Sequence, residues 1–161
     1  EGAAVMRGLA TLGWRPPVIS HWGVSGGDFA QAAGFENVEG VLTLQTYSFM
    51  GPLSPLGERV VEAYHARFGT RSVQEIEAPV GVAHGYDGMH LLALAIERAG
   101  SAEGPAIQAA LEQLGSYDGL VKHYERPFTS ENHDALQAED YLMAIWRHGR
   151  LVPASGSRLP K

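Results

Sequence analysis

Two runs rich in β-branched and aromatic residues, Val18 to Trp22 and Gly40 to Tyr47, flank a short helical stretch from about Asp28 to Ala33, capped by Asp28 and stopped by Gly34. Strand, helix, strand in this order directs a chain into a parallel pair with a crossover, the signature of an α/β fold. Before it, Val5, Met6, Leu9 and Leu12 stand at helical spacing over Ala3 to Leu12, closed by Gly13. After it, Ser54 caps a helix with Pro55 in its first turn, Val60, Tyr64 and Phe68 form its core stripe, and Gly69 ends it. Two more helices are expected from about Pro79 to Ala99 and from about Pro105 to Leu114. Leu120 to Tyr124 and Tyr141 to Arg147 read as strands, and His148-Gly149 as a two-residue hairpin turn into Arg150-Leu151-Val152. Only two strands fall in the alternating part, whereas a doubly wound sheet has about 5 or 6. Much of the sheet must come from elsewhere, so the chain reads as a piece of something larger, or a partner to it. Glu1-Gly2 offers no capping side chain, as if the first helix were already under way.

Composition narrows the function classes. Twelve Lys plus Arg against 18 Asp plus Glu give a formal charge of −6, which argues against a nucleic-acid partner. No run approaches the about 20 apolar residues of a bilayer span, and no cationic segment leads an apolar one at the start. Without cysteine, disulfides and thiolate zinc sites are excluded, and the redox compartment is left open.

The stretch PVISHWGVSGGDF, residues 17 to 29, carries the chemistry. Gly23, Ser25 and Gly27 spell G-x-S-x-G, the pattern of a hydrolase nucleophile elbow, with Asp87 and His123 or His133 as later triad candidates. The helix after Ser25 is too short and polar for a central nucleophile helix, and with seven histidines in the chain such a coincidence carries little weight. The competing reading is a passive cradle. Ligands of open α/β sheets sit beyond the carboxyl ends of strands, where glycine loops let backbone come close, and Trp22 offers a flat face there. His84, Asp87 and His90 are spaced by three and three, which spreads them over about 120 degrees of a helix and disfavours a metal site.

The succession RPPVISHWGVSGGDF, ENVEGVLTLQTYSF, FGTRS, VAHGYDGMHLLALAIERAGS, GPAIQAALEQL and FTSENHDALQAEDYLMAIWRHGRLVP resembles the C-terminal part of type I periplasmic solute-binding proteins of ABC importers, in particular the branched-chain amino acid receptor family. The resemblance implies an α/β protein of two doubly wound lobes joined by a hinge, here incomplete. Residues 1–47 would be part of lobe 2, 48–118 part of lobe 1, and 119–161 a return to lobe 2 with a C-terminal β ribbon. It implies a periplasmic, non-catalytic subunit, exported by a signal peptide in the full-length protein, that captures an amino acid, aromatic acid or amide by lobe closure. Its partners would be the solute and the importer's membrane subunits, with no nucleic acid, cofactor or metal. Exposed sheet edges would also allow a homodimer. A ligand-sensing regulatory domain of the same fold is the alternative within the resemblance. Carried over residue by residue, the ligand-binding set is His21, Trp22, Gly23, Ser25, Thr46, Tyr47, Tyr86 and Asp87. Where amino-acid-binding members place an acidic residue for the ligand ammonium, this chain has Trp22, which favours an aromatic or otherwise planar solute.

Overall fold

The computed structural model describes residues 1–154. Helix α1 (Gly2–Thr11) leads through Pro16 and Pro17, which cannot continue a helix, into β1 (Ile19–His21). Helices α2 (Phe29–Ala33) and α3 (Phe35–Val38) follow, then β2 (Leu42–Gln45). β1 and β2 are parallel, as the alternation requires, with Ile19 opposite Leu42 and His21 opposite Leu44. β5 (Leu142–Arg147) adds to β2 antiparallel and β6 (Arg150–Pro153) to β5, giving the order β1-β2-β5-β6. The β5–β6 turn is the expected His148-Gly149 pair, with φ of 50° and 74°, the double left-handed conformation of a type I′ hairpin. Glu39 braces it, accepting from the His148 backbone N–H at 2.7 Å.

Among the described residues, 1–80 and 141–154 form one compact unit by contact and 81–140 a second. The first has its core where one sheet face meets α1 to α3. Met6, Phe29, Ala30, Ala33, Val38, Val41 and Trp146 are buried together. Trp146 packs on Phe29 with ring centroids 5.8 Å apart, and its indole N–H donates to the Val24 carbonyl at 3.1 Å, so the ring is buried without orphaning its one polar atom. Burying each of Met6, Phe29, Val38 and Val41 stabilises the unit by roughly 1.5–3 kcal/mol. Within the same unit α4 (Pro55–Phe68) begins at Ser54, whose hydroxyl accepts from Gly57 N–H, and ends at left-handed Gly69.

The second unit holds the body of α5 (Pro79–Ala99), then α6 (Gly104–Leu111) and a short antiparallel ribbon of β3 (Tyr117–Asp118) with β4 (His123–Tyr124). Along α5 the buried positions Ala83, Asp87, Leu91 and Ala95 recur at a spacing of four and mark its inward stripe.

Several expectations change in detail. Phe68 is 62% exposed rather than core, because its ring lies against Tyr64 at 4.5 Å in the helix's last turn and leaves Val60 as the buried member of the stripe. Asp28 stands at the N-cap of α2 but its side chain makes no capping bond, since its backbone (φ −89°, ψ 12°) is not the extended conformation that Ser54 adopts. Residues 120 to 122 form a turn instead of strand. Among the described residues no helix is long and apolar enough to cross a membrane.

Candidate functional site

The parallel pairing of β1 and β2 brings their carboxyl ends to the same end of the sheet, so the loop after His21 and the residues after Gln45 emerge side by side. The loop is a 3-10 turn over Trp22–Val24 with its own internal bonds. The His21 ring Nδ1 accepts from Gly23 N–H at 2.9 Å. Ser25 returns to the start of the turn, its backbone N–H reaching the Trp22 carbonyl at 3.0 Å and its hydroxyl donating to the same oxygen at 2.6 Å. Gly26 then passes against the chain at Glu77. A Cβ there would lie 2.1 Å from the Glu77 carbonyl oxygen, so only glycine permits this approach.

These bonds sort the expected residues. His21, Trp22 and Gly23 are exposed at the sheet's end, with the Trp22 and His21 rings edge to face at 5.8 Å. Ser25 is 8% exposed and its proton is committed to a carbonyl. The other members of the triad candidate are likewise engaged, His123 with Asp118, His133 with Glu112, and Asp87 with backbone. Nothing in these contacts supports a nucleophile elbow. Thr46 is buried, and Tyr47 is half-buried against Phe49 in a T-shaped contact at 4.9 Å.

Tyr86 and Asp87 stand in the second unit as neighbours on α5, about 100 degrees apart around the helix. Asp87 is 2% exposed and accepts three hydrogen bonds, from Leu120 N–H at 2.5 Å, Val121 N–H at 2.9 Å and the Tyr124 hydroxyl at 2.9 Å. Burial and then the Asp87 charge push the Tyr124 hydroxyl far above the ordinary tyrosine range. Tyr86 shares its helix face with exposed Met89 and Ala93, and begins a ladder of rings. It meets His90 at 4.4 Å, His90 stacks on Tyr117 at 6.4 Å, and Tyr117 on Tyr124 at 6.2 Å. The sequence reading missed His90 and Tyr117 in this ladder; the i, i+4 spacing of Tyr86 and His90 was the available signal. Burial lowers the pKa of His84, with the Asp87 charge acting against it. Among the described residues no group of three His, Asp or Glu is arranged to hold a metal ion.

Residues 1–148 match the family model described as periplasmic binding protein. No curated protein matches the sequence. Solved structures with the same fold include a type 1 periplasmic binding protein from Bordetella pertussis, 24% identical over 94% of this chain and 43% of its own, with a TM-score of 0.76. A leucine-binding protein from Thermotoga maritima is 25% identical over 96% of this chain and 41% of its own, at a TM-score of 0.74. A solute-binding protein of an ABC transporter from R. palustris, solved with benzoate, is 17% identical over 97% of this chain and 39% of its own, at a TM-score of 0.69. The chain thus spans less than half the length of the solved proteins it matches. With a family match over residues 1–148 and a mixed sheet of the same architecture, the chain belongs to the periplasmic binding protein family.

Proposed function

We propose that this chain is part of an extracytoplasmic solute-binding subunit of an ABC importer, which captures a small organic solute by lobe closure and releases it unchanged. The observation that carries the reading is the loop at the ends of the parallel strands. His21, Trp22 and Gly23 are held outward by a self-contained turn, so a solute can meet a rigid wall without reorganising it. Ser25 contributes by fixing that turn, and Thr46 and Tyr47 extend the wall from β2. In the second unit Tyr86 offers a planar surface of its own, and Asp87 acts indirectly by holding the 120–124 turn and the ring of Tyr124.

The solute class this favours is a planar acid such as benzoate. Trp22 supplies a flat apolar face, and no carboxylate stands in the 21–25 loop to receive an ammonium. Contacts by both lobes stabilise the closed form, which the importer's membrane subunits recognise. The β1 edge, with Ile19 69% exposed, is the surface through which two copies would pair.

Saturation-transfer NMR at millimolar benzoate tests the reading. The expected result is a transfer signal that Trp22→Ala removes. A signal indifferent to that substitution would take the loop out of the mechanism, and turnover of an ester by the chain would replace binding with catalysis.

A further inference from the structure

Gln45 closes β2 on the face that packs toward α2. Its side chain is 1% exposed, and its Nε2 has no hydrogen-bond partner among the described residues. Thr43, two residues earlier on the same face and 0% exposed, has a hydroxyl in the same condition. Buried polar atoms in native proteins are nearly always paired, and of these two residues only Gln45 borders a cavity where a partner could sit.

Gln45 also lines a cavity of about 210 Å³ that lies wholly within the first unit. Its apolar walls are Phe49, Ile76 and Trp146, at 2%, 1% and 6% exposure, and the Gly26-Gly27 backbone closes one side. Trp22 does not line it, so it is separate from the exposed face of the loop. An apolar cavity of about 150 Å³ holds benzene, so this one has room for a six-membered ring and a small substituent. Asp28 and Arg150, opposite in sign and both exposed, stand at its boundary, so their charges offset and the lining supplies no net charge to hold an ionised ligand.

We propose that this cavity is a binding site for small neutral molecules that pair a compact apolar body with a carbonyl oxygen, the oxygen accepting from Gln45 Nε2–H. The inference does not rest on the importer reading, since the cavity shares only Ser25 with the proposed solute wall and lies in the first unit alone.

Benzamide is the probe, with toluene as the ring lacking an acceptor and benzoate as the ionised counterpart. In a titration of the 15N-labelled 161-residue chain, the side-chain NH2 pair of Gln45 is identified by its absence in Gln45→Leu. Benzamide is expected to move that pair saturably, and to bind at least tenfold more tightly than toluene or benzoate. Gln45→Leu is expected to weaken benzamide at least tenfold while leaving toluene within threefold. A Gln45 NH2 pair that stays still up to the solubility of benzamide would overturn the proposal, because a bound water would then be the partner. Equal affinity of benzamide for the wild-type and Gln45→Leu chains would overturn it as well. Should Gln45→Leu fail to fold, the benzamide-to-toluene ratio on the wild-type chain decides alone, with equal affinities sinking the idea.

Discussion

Asp87 and Gln45 are the two residues where burial and hydrogen bonding separate most clearly. A carboxylate at 2% exposure survives because Leu120, Val121 and Tyr124 each donate to it. Removing it orphans three donors at once, and an unmade buried bond costs about 1–3 kcal/mol. Asp87→Ala is therefore expected to destabilise the second unit by about 3 kcal/mol in urea unfolding followed by a tyrosine or amide probe within residues 81–140. Gln45 is the reverse case. Its Nε2 has no partner among the described residues to lose, so Gln45→Leu exchanges an orphan for apolar contact and is expected to leave stability unchanged or raise it by about 1 kcal/mol. Opposite signs for these two buried polar residues are the outcome that the hydrogen bonds require; a large loss at both would mean that Gln45 is satisfied by something the chain itself supplies.

Among the elements, the 117–124 ribbon and turn carry the clearest pH dependence. Burial raises the pKa of Tyr124, and to a smaller degree that of Tyr117, and Asp87 adds to both. The unfolded chain gives up these protons near the usual value of about 10, while the folded one still holds them. Stability from this source is thus complete below about pH 10 and is lost as pH climbs from there toward the folded-state values. Melting followed from pH 8 to 11 is expected to show a plateau and then a decline, and Tyr124→Phe should flatten the decline. How far such elements could be read in advance depended on where their determinants lie. Ser54, Pro55 and Gly69 bracket α4 within a few residues of sequence, and the observed helix runs between them. The parallel β1–β2 pair and the His148-Gly149 hairpin were legible for the same reason, since adjacent residues dictate both. α3 has four residues, less than the period needed to reveal a stripe, and went unseen. Phe68 sat at the right spacing for burial, but periodicity names a face without saying what covers it. At the site, the exposed bend of His21 to Gly23 followed from its glycines, whereas the employment of Asp87 depends on partners 33 to 37 residues away and no local pattern announces it.

At the scale of the molecule, the proposed capture mode divides solute contacts between two lobes, and the chain spans 43% and 41% of the length of two solved relatives. A micromolar dissociation constant corresponds to about 8 kcal/mol of binding free energy. Association first costs several kcal/mol of lost translational and rotational freedom, roughly 4 or more, and this is paid in full whether a solute meets one wall or two. Halving the contacts therefore removes much more than half of the net affinity, because the fixed cost is subtracted from a smaller gain. Titration calorimetry of the 161-residue chain with benzoate is accordingly expected to give a dissociation constant weaker than about 100 µM, roughly 5.5 kcal/mol. Submicromolar binding by this chain alone would show that the contacts it carries suffice without the rest of the two lobes, and closure would lose its place in the mechanism.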